Sequence, residues 1–154
     1  MDTIPYLVYE DRARYDGWLK PLIAITIAAT LIPALIIFPS DPVGGWVLLA
    51  TTAFDALLFH AIMPRRFQIY SDRLRIVLRW PFAINLRHTS IKEARATSGS
   101  EAYIYWGVRF ATSRHTVIEI VRNRGMNFVI SPSDRETFLQ QLNQMLEAAS
   151  HLTR

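Results

Sequence analysis

The spacing of apolar positions changes character along the chain. Residues 21–38 (PLIAITIAATLIPALIIF) carry no charge and only two polar side chains, Thr26 and Thr30. Eighteen residues at helical pitch rise ~27 Å, close to the ~30 Å hydrocarbon core of a bilayer. Trp18, Leu19 and Lys20 extend this segment, with Trp18 suited to the membrane interface and Lys20 able to snorkel to the headgroups. Pro33 kinks or relaxes one turn, which membrane helices tolerate. Pro39-Ser40-Asp41-Pro42 reads as a turn. Residues 43–63 (VGGWVLLATTAFDALLFHAIM) form a second apolar run, stopped by Pro64-Arg65-Arg66. The pattern predicts a transmembrane helical hairpin over 19–63, with helices at 19–38 and 43–63. A cleaved signal sequence would need a basic leader and a small-residue cleavage site, and neither is present. Core helices of a soluble protein would show a polar stripe.

From Arg65 the period becomes two. Leu74, Ile76, Leu78 and Trp80 share one face of a strand, and Arg73, Arg75 and Arg79 share the other. Further strands are expected at Phe67–Tyr70, Phe82–Arg87, Ile91–Ala96, Trp106–Thr112, His115–Arg122 and Asn127–Ile130. Turn-forming residues separate them, such as Ser71-Asp72, Trp80-Pro81 and Arg124-Gly125. Seven short strands at this spacing indicate an antiparallel barrel or sandwich. A final helix is expected with Ser131 as N-cap, Pro132 at the first helical position and Asp134 in the first turn. Phe138, Leu139, Leu142, Met145, Leu146 and Ala149 make one apolar stripe. That stripe is expected to cover an open end of the barrel; binding a partner is the alternative use. The chain thus divides into an N-terminal segment (1–18), the hairpin (19–63) and a mainly-β domain (64–154).

Charge sharpens this division. Residues 65–154 hold 14 Lys/Arg and 7 Asp/Glu, whereas residues 1–64 hold 3 and 6. Basic residues flank the outer ends of both spans and are missing from the loop between them. The positive-inside rule then places both termini in the cytoplasm, at the inner membrane of the cell. Asp55 falls near the middle of the second span. An aspartate at that depth costs ~2.5–3.5 kcal/mol on insertion scales, so it needs a partner or a proton. A hairpin turning about residues 40 and 41 sets Asp55 level with Thr26 and His60 level with Pro21. Asp55, Thr26 and His60 are therefore the expected intramembrane polar contacts, holding helix to helix or copy to copy. A proton or ion path is the other reading, although only Asp55 lies deep.

Little in the chain points to catalysis. Without cysteine there are no disulfides, thiolate metal sites or cysteine nucleophiles. His60, His88, His115 and His151 lack metal-ligand spacing, and no phosphate-binding or nucleophile-elbow motif occurs. No cofactor, metal or catalytic residue is expected. Aromatic residues among the strands could stack bases, but alternation turns Trp80 and Trp106 inward, so no nucleic-acid partner is expected.

The order of two membrane helices, seven strands and one helix resembles the bacterial pleckstrin-homology-like (PH-like) proteins that carry a membrane hairpin before the domain. The residues that carry the resemblance are Phe67-Gln68-Ile69-Tyr70-Ser71-Asp72-Arg73-Leu74, Trp106-Gly107-Val108-Arg109-Phe110, and Phe128-Val129-Ile130-Ser131-Pro132-Ser133-Asp134 leading into Phe138-Leu139. The resemblance covers residues 10–149. It implies a seven-stranded, two-sheet barrel capped by a helix, and no shared catalytic site. Lipid-binding members of the wider superfamily cluster basic residues around the first two strands, where Arg73 and Arg75 fall. Arg65, Arg66, Arg73, Arg75 and Arg79 are accordingly the candidate lipid or surface contacts, with a solvated basic face as the alternative. The function expected is a membrane-anchored, non-enzymatic scaffold that recruits a protein partner, with anionic lipid as co-ligand. The alternatives are an accessory subunit of a larger membrane complex and a small proton- or ion-transporting oligomer using Asp55.

Overall fold

The computed structural model describes residues 4–79, 81–97 and 107–152. The chain divides into two compact units: residues 16–63, and residues 1–15 together with 64–154.

The first unit is a helical hairpin. Helix α1 runs Leu19–Ile37 and α2 runs Pro42–Ile62. Both are long and apolar enough to cross a membrane, and only 6% and 11% of their apolar windows are buried within the chain. Most of the apolar surface of both helices is therefore left without a cover. The turn between them is built locally. Asp41 accepts a hydrogen bond from the backbone N–H of Gly44, and Pro42 sits in the first turn of α2, where its missing N–H costs nothing. Gly45 is buried against Phe38, and a Cβ there would approach the Phe38 ring within 2.5 Å. Ala34 is also buried. The hydroxyls of Thr30 and Thr52 hydrogen-bond across the pair at 2.9 Å. Small residues and a hydroxyl bridge at the contact are the means by which helices approach where no hydrophobic force drives them together.

The second unit is mainly β. Eight strands are described: β1 (Leu7–Arg12), β2 (Arg66–Tyr70), β3 (Arg73–Val77), β4 (Ala83–Arg87), β5 (Ile91–Ala96), β6 (Gly107–Phe110), β7 (Ile118–Arg122) and β8 (Asn127–Ile130). They form two four-stranded sheets, ordered β1-β2-β3-β4 and β5-β7-β8-β6. The first is fully antiparallel; in the second, β6 runs parallel to β8. This departs from the expected seven-stranded antiparallel barrel in two respects. The additional strand, β1, precedes the hairpin, inside the segment read as separate. The parallel pair arises because the chain returns to β8 from β7, leaving β6 on the outer edge. Gly107 permits that pairing, since a Cβ there would lie 2.5 Å from the carbonyl oxygen of Asn127.

One core joins both sheets to helix α3 (Arg135–Leu152). Phe67, Ile69, Leu74, Ile76 and Leu86 of the first sheet meet Ile118, Ile120, Phe128 and Ile130 of the second, with Phe138 and Leu142 of α3 among them. The ring of Phe138 meets Phe67 and Tyr9 edge-on, with centroids 6.2 and 6.1 Å apart. The apolar stripe of α3 faces this core, as its spacing required. The helix starts later than expected. Asp134 accepts hydrogen bonds from both the N–H and the hydroxyl of Thr137, so it caps the helix. Those bonds, the hydroxyl first, hold its carboxyl below the usual carboxylate range. Ser131 instead lies fully buried, its hydroxyl accepting from the Thr112 N–H at 2.9 Å, and Pro132 forms an isolated bridge with Ala13.

Candidate functional site

Alternation aims the first sheet as the sequence predicted. Leu74, Ile76 and Leu78 are buried, Arg73 and Arg75 are half-buried, and Arg79 is exposed. Trp80, expected on the inner face, lies outside the described residues, as do Tyr103, Tyr105 and Trp106. A register slip of one residue would bury the arginines instead, so the hydrophobic pattern pins the pairing.

The outer face of the sheet is basic. Register places Gln68 beside Arg75 and Arg75 beside Asn85, while Arg66 lies beside Val77 and Val77 beside Ala83. These rows border an open groove of about 370 Å³ that reaches the β3–β4 turn. Arg65, Arg66, Gln68, Tyr70 and Arg75 supply its polar lining, and Val77, Leu78, Pro81, Phe82 and Ala83 its apolar lining. Among the described residues no carboxylate lines it. Glu10 of β1 stands beside it, accepting from Arg66 at 3.0 Å and from the Gln68 amide. Arg65 and Arg75 have no carboxylate partner among the described residues, and the Arg75 Nε is buried without a hydrogen bond. Of the five arginines expected as a surface patch, the groove therefore gathers Arg65, Arg66 and Arg75. Arg73 turns to Asp72, 3.7 Å away, and stacks over the Tyr70 ring at 5.5 Å. Arg79 does not line the groove.

The base of the groove adjoins the place where the chain leaves for the hairpin and returns. Strand β1 pairs with β2 through Arg12 and Arg66, and the Ala13 N–H donates to the Arg65 carbonyl at 3.0 Å. The hydroxyl of Tyr15 donates to the carbonyl of Pro64. Burial raises the Tyr15 phenol above its ordinary range, against the opposing pull of Arg79 and Arg65. The sequence reading missed this strap. Its only local signal was the β-forming run Leu7-Val8-Tyr9, and its partners lie 49 or more residues away.

The polar residues of the hairpin are held as follows. Thr26 donates to the carbonyl of Leu22 in its own helix. Thr52 donates to Thr30 across the helices, one turn away from the expected pair. Asp55 is half-buried and has no hydrogen-bond or ion-pair partner among the described residues. The geometry thus ties the hairpin together without Asp55.

Two buried polar groups lie elsewhere in the domain. Glu119 is fully buried and is satisfied by Arg95 at 2.8 Å and the Asn127 amide at 3.1 Å. His88 is buried in the 3-10 turn His88–Ser90, with neither ring nitrogen hydrogen-bonded. Burial pushes its pKa below the ordinary histidine range, against the pull of Asp72 and of the nearby Arg73 backbone. Among the described residues, no three His, Asp or Glu side chains gather as metal ligands. No known family model, curated protein or solved structure matches the chain.

Proposed function

We propose that the protein is a membrane-anchored, non-enzymatic binding module. In this reading the hairpin crosses the bilayer twice, and a PH-like domain at the cytoplasmic face holds a protein partner, with anionic lipid as co-ligand. The observation that carries it is the pairing of β1, before the hairpin, with β2, after it. A strand on each side of two apolar helices, paired with one another, supports a hairpin whose two ends lie on one side of a membrane. It also argues against a cleaved signal, since cleavage after α1 would remove β1, the edge strand that pairs with β2. The poor burial of both helices argues against a soluble core. The basic flanks Arg12, Arg14, Lys20, Arg65 and Arg66 favour the cytoplasmic side. The two-sheet domain with its C-terminal helix suits a PH-like module extended by one strand.

Labelling of single introduced cysteines tests the reading, because the natural chain has none. Ser40→Cys should react only from outside the cell membrane, and Ser133→Cys only from the cytoplasm. Reaction of both from the same side would defeat it. A second reading, the accessory subunit of a larger membrane complex, is favoured by the unpartnered Asp55 in α2. Co-purification in mild detergent separates the two. Loss of a stable heteromeric partner in Asp55→Asn, with the domain intact, supports the subunit.

A further inference from the structure

We infer that the groove bordered by Arg65, Arg66 and Arg75 binds the phosphate-bearing headgroup of an anionic membrane lipid. This rests on the anchored reading above and names a site and a ligand class within it.

Three features converge. The first is uncompensated charge: Glu10 offsets one of the three guanidiniums, while Arg65 and Arg75 face no carboxylate among the described residues. Guanidinium groups present forked donors that match phosphate oxygens, and the Arg75 Nε is a buried donor without a partner. The second is the amphipathic lining. Beside the arginines stand Val77, Pro81 and Phe82, and Phe82 is 54% exposed. A small inorganic anion has no use for an apolar wall, whereas a glycerol and upper acyl chain would cover it. The third is covalent. Helix α2 ends at Ile62, and three residues of chain reach at most ~11 Å, so Arg65 stays near that helix end. If α2 spans the bilayer, Arg65 and Arg66 are held at headgroup depth. The groove extends from Tyr70 past Arg75 to the β3–β4 turn, and neither Arg73 nor Arg87 lines it.

The test uses the full chain in an uncharged detergent. It is titrated with short-chain phosphatidylglycerol, short-chain phosphatidylcholine or inorganic phosphate, and bound lipid is counted by native mass spectrometry. Phosphatidylglycerol should bind in preference to phosphatidylcholine, and equimolar inorganic phosphate should not displace it. Arg65→Gln with Arg75→Gln should weaken that binding at least tenfold, and Phe82→Ala should weaken it less. Arg87→Gln, on the same sheet face but outside the groove, should bind as the natural chain does. Undiminished phosphatidylglycerol binding by the double variant would overturn the assignment. Displacement by inorganic phosphate would overturn the lipid in favour of a free anion. Carbonate extraction of membranes separates the two levels of the reading. A protein released by carbonate defeats the anchor itself; one retained by the membrane, with lipid binding unaffected in the double variant, defeats only the site.

Discussion

At the scale of single residues, two buried polar side chains make opposite contributions to stability. Glu119 has its lone pairs filled, so removing a partner exposes the cost of its burial. Arg95→Met should destabilise the domain by about 3 kcal/mol, the lower end for breaking a buried pair, because Arg95 itself is half-exposed. Chemical denaturation read by circular dichroism would measure it. A loss below half of that value would show that Asn127 alone suffices. His88 has no such satisfaction. Its folded pKa is depressed, so the unfolded chain binds the proton more readily. The stability it permits is present above the ordinary histidine value of 6.5 and declines as pH falls below it. His88→Leu should therefore flatten the fall in melting temperature between neutral pH and pH 5. It should be neutral or stabilising at pH 7, since an orphaned buried nitrogen costs ~1–3 kcal/mol. Asp134 titrates in the same direction but from the carboxylate range, below this window. An unchanged pH slope in the variant would place the acid sensitivity elsewhere.

At the scale of elements, the closest approach in the hairpin depends on one glycine. Any side chain at Gly45 meets Phe38, both ring and backbone. Gly45→Leu should prise the turn apart and separate Thr30 from Thr52. A disulfide between cysteines introduced at Thr30 and Thr52 reports this: it should form readily in the natural background and poorly in the variant. Thr52→Val alone should cost little, ~0.6 kcal/mol, as intramembrane hydrogen bonds generally do. Among the strands, β1 is an edge strand held at both ends. Beyond its pairing with β2, the Ser133 N–H donates to the Arg12 carbonyl and the Arg14 N–H to the Ser131 carbonyl. The Asp11 carboxylate also accepts from the Asp134 N–H at 2.8 Å. The N-terminal residues thereby close the first sheet onto the start of α3. Deleting residues 1–12 should abolish cooperative unfolding of the domain rather than merely lower its midpoint. Intact cooperative melting in the truncated chain would reduce β1 to an ornament.

At the scale of the whole molecule, the hairpin is an insertion between two paired strands. The exits are adjacent, since Ala13 and Arg65 share a backbone hydrogen bond and Tyr15 is tied to Pro64. A short Gly/Ser linker should therefore replace residues 16–63 without breaking the sheet. The shortened protein should be water-soluble and monomeric, with a β-rich circular dichroism spectrum and a cooperative melt. Aggregation of that protein would mean that the domain needs the helices to fold. The one-sided arrangement of the exits follows from β1–β2 pairing, not from the hydropathy of the helices.

Much of this was legible in the chain because the responsible forces are local and periodic. Eighteen uncharged apolar residues have few stable homes but a helix in an apolar surrounding. Leu74, Ile76 and Leu78 alternate with arginines, so the buried face of β3 was decided before any partner was known. The stripe from Phe138 to Ala149 likewise chose the inner face of α3. Only tertiary structure decided what depends on residues far apart. Leu7–Arg12 became a strand because β2, beyond the hairpin, offered an edge. Asp134 displaced Ser131 as the helix cap because Ser131 was drawn into the buried bonds of Thr112. Arg65, Arg66 and Arg75 became neighbours, and Arg73 and Arg79 did not join them, through the register of β2 against β3 and the bend at Pro81. Periodicity records which way a side chain faces, but which distant side chain stands beside it is settled by sheet pairing, and that pairing leaves no mark at short range.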